Sequence, residues 1–193
     1  DGCGRADSFV MNPHKWLFVP IDCSAFYTRK PEVLKHAFSL TPEYLRTSEN
    51  GAAENLMDYG IQLGRRFRAL KLWFVLRYFG KHGLAARIRD HMELAQTLVS
   101  WIEDHNAFEL MAPAPFSTVC FRYHPRNTAD QEHLNHLNRN LLDAVNNTRQ
   151  IYISHTKLDG DFVLRIALGN LHTQREHVER AWELIRQEAE KQA

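Results

Sequence analysis

A short stretch near the start of the chain, Asn12-Pro13-His14-Lys15-Trp16, combines the residue types best suited to chemistry. It follows an apolar run over residues 8–12, which predicts a buried strand that delivers a loop. A pre-positioned lysine amine can form a Schiff base with a cofactor aldehyde. Neighbouring donors on Asn12 and His14 can hold an anionic group of the same cofactor. Two interpretations of Lys15 stay open at this point, because most single lysines are solvated surface residues.

Other reactive side chains give weaker signals. A basic cluster suggests either phosphate binding or ion pairing within a dimer, and it consists of Arg65, Arg66, Arg68 and Lys71. His133 and His136 lie three residues apart without a carboxylate partner at helical spacing, so no metal site is predicted. Arg165, inside an apolar strand pattern, is expected to pair with a carboxylate, either of a substrate or of the protein itself.

Composition restricts the class of protein. The chain has 193 residues, 44% of them hydrophobic, which is enough for a sizeable core in one or two domains. The 24 lysine and arginine residues nearly balance the 23 aspartate and glutamate residues, so neither nucleic acid nor a membrane is an expected partner. Three cysteines without a CxxC spacing indicate a reduced, cytoplasmic protein. The sequence opens on Asp1 in mid-pattern, and we interpret it as a fragment.

The first third of the chain predicts few regular elements beyond the strand at 8–12. Residues 16–27 are rich in aromatic and branched side chains and predict a second strand, interrupted by Pro20. A short helix is expected from Pro31 through residue 38. Residues 41–62 carry turn residues with little periodicity and predict a long loop, which in a compact enzyme is often functional.

Two helices are predicted next. Residues 63–79 are apolar nearly all round after Lys71, which predicts a buried helix, and Gly80 and Gly83 follow it. The second helix, at 84–104, has one apolar stripe formed by Leu84, Ile88, Met92, Ala95, Val99 and Ile102.

The remainder predicts a small α+β module. Strands are expected at 108–111, 118–123, 150–155 and 162–168, and helices at 130–146 and 173–190. Asp159-Gly160 would join the last two strands. Thr173 would cap the final helix, with Glu176 in capping-box spacing.

Three separated blocks of sequence resemble one enzyme family. The first is Ala6-Asp7-Ser8-Phe9, Asn12 to Leu17 and Asp22-Cys23-Ser24-Ala25; the second is Leu63 to Phe74; the third is Phe162 to Arg165 with His177-Val178 and Arg180-Ala181-Trp182. In this order they are similar to the group II decarboxylases dependent on pyridoxal 5'-phosphate (PLP), which include aromatic-L-amino-acid, tyrosine and histidine decarboxylases. Trp16 and the run after Asp22 favour the aromatic branch over the glutamate branch.

The resemblance implies a fold, a cofactor and a set of site residues. The expected fold is the α/β fold-type I of PLP-dependent transferases, like aspartate aminotransferase. Within it, residues 1–62 would end the large PLP domain, 63–104 would form connecting helices and 105–193 the small C-terminal α+β domain. Lys15 would carry PLP covalently as the catalytic residue, and His14 and Asn12 would contact its phosphate. Family members are homodimers with active sites at the subunit boundary.

The expected function is PLP-dependent decarboxylation of an aromatic or similar L-amino acid to its amine and CO₂. In the family, a loop tyrosine protonates the substrate carbon after CO₂ has left. An ungapped count back from Leu63 places that position at Leu56, whereas a shifted alignment places it at Tyr59. The alternatives are therefore oxidative conversion to an aldehyde, or a non-catalytic dimerising remnant. We expect the 193-residue piece alone to be inactive, because the cofactor's ring-stacking and pyridine-nitrogen partners lie upstream in the family.

Overall fold

The structure is a computed structural model that describes residues 2–39, 54–126, 128 and 130–192. The chain forms two compact units, Asp1–Gly80 and Lys81–Ala193, and each is described by itself. The boundary between them falls inside the predicted connecting segment 63–104.

The N-terminal unit is built around a two-stranded antiparallel ribbon. Its elements are β1 (Ser8–Met11), α1 (Pro13–Trp16), β2 (Ala25–Thr28) and α2 (Pro31–Phe38), with one-turn 3₁₀ helices at Cys3–Arg5 and Leu56–Tyr59. Strand β1 pairs with β2 so that Ser8 lies opposite Thr28. The strand predicted from residue 8 and the helix predicted from residue 31 are both confirmed. Pro31 lies in the first turn of α2, a position that the fixed φ of proline favours.

Two predictions for this unit are wrong. The strand predicted over 16–27 forms only at Ala25–Thr28, because Pro13 starts a helical turn before it and Pro20, which lacks an N–H, lies in the connecting loop. Strand β1 is also not buried within this chain, where Val10 is 59% exposed.

Helix α3 (Arg68–Glu103) runs through the unit boundary and is interrupted at Gly80, whose φ of 62° and ψ of 177° are not helical. The two predicted helices are therefore present on either side of Gly80. The first begins at Arg68 rather than at residue 63 and is not buried within this chain, because Trp73 is 53%, Phe74 57% and Tyr78 83% exposed.

The C-terminal unit places helices on a four-stranded antiparallel sheet. After α3 come β3 (Phe108–Leu110), β4 (Thr118–Tyr123), α4 (Gln131–Asn147), β5 (Ser154–Leu158), β6 (Asp161–Ala167) and α5 (Arg175–Glu190). The strand order is β3-β4-β6-β5. Asp159 and Gly160, both with positive φ, form the two-residue turn between β5 and β6 that was predicted.

One strand of this sheet is displaced from its predicted position. Residues 150–153 stay outside the ladder, and β5 begins at Ser154. The side chain of Asn146 accounts for this difference, because it accepts a hydrogen bond from Ile153 N–H at 2.9 Å and donates to Ile153 O at 3.0 Å. The backbone of residue 153 is thereby satisfied without a strand partner.

The core lies between the sheet and its helices. Val119, Phe121 and Leu164 of the sheet are fully buried, as is Ile185 of α5. The stripe predicted on the second half of α3 is confirmed at its buried members Leu84, Ala95, Val99 and Ile102, while Ile88 and Met92 are half-buried.

The cap of α5 differs from the prediction. Gln174, not Thr173, is the N-cap. The Gln174 side chain accepts from the backbone N–H of His177, and the His177 side chain accepts from the backbone N–H of Gln174. His177 rather than Glu176 therefore completes the capping box. None of the helices in the described ranges is both long and apolar enough to cross a membrane.

Candidate functional site

Lys15 lies on a short turn at the end of strand β1. Pro13 is buried at the start of α1 and anchors the turn, and the Lys15 N–H donates to Asn12 O at 2.9 Å. The side chain of Lys15 is exposed, and within the described residues its Nζ makes no hydrogen bond or ion pair. A fixed backbone thus presents a free amine.

The imidazole of His14 is held by the main chain of Cys23. Its Nδ1 lies 2.8 Å from Cys23 O and 3.1 Å from Cys23 N, and the His14 N–H donates to the same carbonyl at 3.2 Å. Cys23 is itself buried, with 3% of its surface exposed. These contacts occupy Nδ1, and Nε2 has no hydrogen-bond partner in the described residues.

The amide of Asn12 is oriented by Ser24. The Ser24 hydroxyl donates to Asn12 Oδ1 at 2.6 Å, so the NH₂ group of Asn12 lies on the other branch of the amide. No protein acceptor for that NH₂ group is found among residues 2–39 or in the other described ranges. Asn12 Nδ2 and His14 Nε2, in residues within three positions of Lys15 in sequence, are thus left without a protein partner in those ranges.

An ion pair holds the loop that carries Cys23 and Ser24. Arg68, at the start of α3, donates through Nε to Asp22 Oδ2 at 3.0 Å, and its guanidinium holds the pKa of the Asp22 carboxyl below its usual value. Sequence reasoning did not assign a role to Asp22, although it belongs to the first resembling block. The separation of 46 positions between the partners explains why spacing gave no signal.

This arrangement fits two parts of PLP. The cofactor requires an amine for its aldehyde and hydrogen-bond donors for its phosphate. Lys15 offers the amine, and Asn12 Nδ2 and His14 Nε2 offer the donors. Both groups belong to residues within three positions of Lys15 in sequence, and neither has a protein partner in the part of the chain that the structure describes, so both are available to an anion.

Comparison with known proteins decides the family. A family model described as "Pyridoxal-dependent decarboxylase conserved domain" matches residues 1–124, more than half of the chain. The chain belongs to this family. The pyridoxal-dependent decarboxylases thus account for the first two of the three sequence blocks in full.

Individual relatives of this decarboxylase chain extend the match to its C-terminal end. A tryptophan decarboxylase of Camptotheca acuminata is 42% identical over 192 residues, which cover 98% of this chain and 39% of the relative. A phenylacetaldehyde synthase of Arabidopsis thaliana is 41% identical over 191 residues, with 98% and 39% covered. The chain thus spans about two fifths of the length of these relatives.

A solved structure confirms the fold. The crystal structure of Oryza sativa TDC with PLP and tryptamine superimposes with a TM-score of 0.91 at 37% identity, covering 100% of this chain and 40% of that one. The decarboxylase chain therefore has the α/β architecture of fold-type I PLP-dependent enzymes, and PLP is the cofactor of its family.

The two candidate loop positions lie in the 3₁₀ turn Leu56–Tyr59. The Tyr59 hydroxyl donates a short hydrogen bond to Glu54, and Lys35 of α2 pairs with Glu54 at 2.7 Å while lying 5.0 Å from the centre of the Tyr59 ring. Lys35 lowers the pKa of Glu54, and the carboxylate in turn raises the pKa of Lys35. Tyr59 is thus held by an ion-paired cluster, whereas the larger part of the predicted loop, residues 41–53, lies outside the described residues.

Three weaker candidates remain: the basic cluster, the histidine pair and Arg165. In the basic cluster, Arg68 pairs with Asp22, and Arg65 donates to Leu56 O at 3.1 Å. His136 lies 3.2 Å from the amide nitrogen of Asn140, and no group of three potential metal ligands occurs in the described part of the chain. Arg165 donates to Ser154 Oγ at 3.3 Å and, within the same ranges, pairs with no carboxylate.

Proposed function

We propose that this chain is the C-terminal part of a PLP-dependent decarboxylase that converts an aromatic L-amino acid into its amine and CO₂. The observation that carries the proposal is that three groups within four consecutive residues, the Lys15 amine, Asn12 Nδ2 and His14 Nε2, have no protein partner among the described residues. Support for the substrate class comes from the tryptophan decarboxylase relative and from the structure determined with tryptamine. We call the longer protein the parent enzyme.

Each residue of the site has a distinct task in this proposal. Lys15 holds the cofactor aldehyde and yields it to the amino group of the substrate. Asn12 and His14 donate to the phosphate, and the Ser24 hydroxyl and the Cys23 main chain keep those donors oriented. The Asp22–Arg68 pair fixes the loop that supplies both supports. When bound, PLP withdraws electrons from the substrate α-carbon, which makes loss of CO₂ possible.

Borohydride reduction of the parent enzyme tests the proposal. Reduction should join the cofactor permanently to the peptide that contains Lys15, and mass spectrometry should locate the tag on that residue. Lys15→Ala should abolish the tag and the visible absorbance of the cofactor, whereas Lys30→Ala, an exposed lysine of the same unit, should keep both. A tag at another lysine, or no tag, would contradict the assignment and would support a non-catalytic remnant.

The same experiment on the 193-residue chain should give a different result. A lysine outside a complete pocket reacts as an ordinary amine, so we expect weak cofactor binding and no turnover. Tight, stoichiometric binding of PLP by the chain alone would be inconsistent with the need for upstream residues.

A second candidate function is oxidative conversion of the amino acid to an aldehyde. One observation favours it: Tyr59, one of the two candidate positions for the protonating residue, is engaged by Glu54. The phenylacetaldehyde synthase relative has the same coverage as the tryptophan decarboxylase of Camptotheca acuminata. In this reaction the amino acid, O₂ and H₂O give the aldehyde, CO₂, NH₃ and H₂O₂. Product analysis separates the functions, because only the oxidative route releases peroxide.

Tyrosine variants test which residue directs the outcome. The predicted loop contains one further tyrosine, Tyr44, outside the described residues. If Tyr59 only holds the turn, Tyr59→Phe should leave the amine as the main product of the parent enzyme, and Tyr44→Phe should divert product towards aldehyde and peroxide. A diversion by Tyr59→Phe alone would assign the proton transfer to Tyr59 instead.

We also propose that the parent enzyme is a homodimer of a reducing compartment such as the cytoplasm. The exposed aromatic side chains of α3 support the homodimer, because such surfaces are typical of interfaces. The free thiols of Cys3, Cys23 and Cys120 support the reducing compartment, because even the buried Cys23 has no disulfide partner.

A further inference from the structure

An ion pair joins helix α2 to the residues that precede the turn Leu56–Tyr59 in the N-terminal unit. Lys35 Nζ, in the last turn of α2, donates to Glu54 Oε1 at 2.7 Å. The two residues lie 19 positions apart in sequence. The pair therefore fixes the distance between the two ends of the segment that separates them.

The same carboxylate oxygen also holds Tyr59. The Tyr59 hydroxyl donates to Glu54 Oε1, and Lys35 Nζ lies 5.0 Å from the centre of the Tyr59 ring. One acceptor therefore serves two donors, and the cation lies close to both the carboxylate and the aromatic ring. The hydrogen bond between Lys35 and Glu54 lowers the pKa of the carboxyl and raises the pKa of the amine, so both groups are charged at neutral pH. We call Lys35, Glu54 and Tyr59 the clamp.

A second contact fixes the other end of the turn. Arg65 Nη1 donates to Leu56 O at 3.1 Å, while the clamp holds Tyr59, the last residue of the turn. No residue of the turn is buried, and Leu56 is 61% exposed. Polar contacts at both ends, and not core packing, therefore determine where the two candidate positions for the protonating residue lie.

The clamp is better suited to positioning than to stabilising the fold. The side chains of Lys35 and Glu54 are 43% and 59% exposed, and exposed ion pairs contribute little to the free energy of unfolding. Position matters more than stability in a reacting group, because a misplacement of about 1 Å can lower a rate about a hundredfold. Removal of the clamp should therefore leave the protein folded and alter the rate of a step that depends on the turn.

We propose that Lys35 and Glu54 are positioning residues for the transfer of a proton to the substrate in the parent enzyme. The inference rests on the function proposed above. It applies to either tyrosine: the clamp contacts Tyr59 directly, and Tyr44 belongs to the segment whose two ends the clamp joins. Loss of the clamp should slow proton transfer and leave PLP binding unchanged, because the clamp shares no residue with the site around Lys15.

Kinetics of the parent enzyme with L-tryptophan and L-tyrosine test this role. In Lys35→Ala and Glu54→Ala, kcat for amine formation should fall about tenfold, whereas KM and PLP affinity should change less than about twofold. Lys35→Arg keeps the cation and should retain most of the kcat. Glu32→Ala, which removes another exposed carboxylate of the same unit, should match the unaltered enzyme.

Three results would overturn the positioning role. The first is an unchanged kcat in both alanine variants, and the second is an equal loss in Glu32→Ala. The third is a rise in amine formation in Glu54→Ala, which would show that the carboxylate withholds Tyr59 from the substrate.

Coupling and hydrogen exchange complete the test. The double variant Lys35→Ala with Glu54→Ala should lose no more kcat than Glu54→Ala alone, because both changes remove the same ion pair, and additive losses would refute the clamp. Backbone hydrogen exchange at residues 54–60, measured by mass spectrometry without substrate, should be faster in both single variants. Unchanged exchange would refute the clamp as well. Because this measurement needs no turnover, it decides on the clamp even if the borohydride test rejects Lys15.

Discussion

At the scale of single residues, the site depends on how its donors are oriented. Asn12 and His14 are adjacent to Lys15 in sequence, but their orientation comes from Ser24 and from the Cys23 main chain. A donor that is already oriented loses less conformational entropy when a ligand binds. The supporting residues should therefore affect cofactor affinity even though they need not touch the cofactor.

Substitution of Asn12 tests this orientation. Asn12→Asp replaces the free NH₂ group with a carboxylate oxygen, and we expect the PLP affinity of the parent enzyme to fall about tenfold or more because two anions then face each other. Ser24→Ala only removes the hydrogen bond that orients the Asn12 amide, so it should lower the PLP affinity less than Asn12→Asp does. Asn140→Asp, on the exposed side of α4, is the matched control. Equal PLP dissociation constants for Asn12→Asp and the unaltered enzyme, measured by cofactor absorbance, would exclude Asn12 from the phosphate site.

At the scale of elements, the single interruption of α3 is a backbone effect. Gly80 has φ 62° and ψ 177°, a conformation accessible in practice only to glycine, and an added Cβ would meet no atom within 4 Å. The constraint is thus conformational and not one of space.

Alanine at this position should reveal that constraint. We expect Gly80→Ala to lower the free energy of unfolding by about 1–3 kcal/mol in urea denaturation, because alanine must adopt a strained backbone. Gly64→Ala is the control: it also has open space around the new Cβ but no positive φ, and should change stability by less than about 0.5 kcal/mol. A neutral Gly80→Ala would mean that α3 can continue through residue 80 as regular helix.

A buried histidine joins α3 to the loop before α5. His91 is 3% exposed, and its Nε2 lies 3.1 Å from Asn170 O. Burial lowers the pKa of His91 below its ordinary value of 6.5, and the Asn170 carbonyl opposes this only in part. The folded state therefore favours the neutral ring.

This burial predicts a pH dependence of stability. Below pH 6.5 the unfolded chain binds a proton at residue 91 more readily than the folded chain does, so stability should fall as the pH decreases through that range. His91→Gln keeps a side-chain donor for Asn170 but cannot titrate. The loss of unfolding free energy between pH 7.5 and pH 5.5 should be smaller in His91→Gln than in the unaltered chain. An identical loss in both proteins would show that the folded state accommodates the charged ring.

At the scale of the whole molecule, the apolar surface is distributed unevenly. The first half of α3 exposes Trp73, Phe74 and Tyr78 by 53%, 57% and 83%, although the pattern of the sequence is that of a buried helix. A contiguous exposed aromatic surface of this kind is typical of an interface. Because the chain spans about two fifths of its relatives, this surface is a candidate for subunit contact in the parent enzyme.

Charge placed on that surface should separate the subunits. We expect Trp73→Glu combined with Phe74→Glu to halve the mass of the parent enzyme in size-exclusion chromatography with light scattering. Dimer formation would bury two unpaired carboxylates in the interface, which is unfavourable. Phe116→Glu, at a residue 61% exposed in the other unit, should leave the mass unchanged. A double variant that stays dimeric would place the subunit contact elsewhere.

The sequence alone determined the family and most of the elements, and it carries the prediction that Lys15 is the anchor lysine. Periodicity reports the neighbours two to four residues away, so the strand at Ser8, the helix at Pro31 and the stripe on α3 were predictable. The motif around Lys15 named the cofactor because its residues are contiguous. These features depend on local order along the chain.

Only the tertiary structure decided which groups are satisfied and which are free. The partners of Ile153, His14 and Arg68 lie seven, nine and 46 positions away, beyond the two to four positions that periodicity reports. Composition also cannot distinguish a helix that is buried within its own chain from one that is buried in an interface. Strand β5 begins late for the same reason: the side chain of Asn146 in α4 satisfies the backbone of Ile153, which would otherwise have extended β5. Hydrogen bonds of this type depend on distance in space, and therefore on the completed fold.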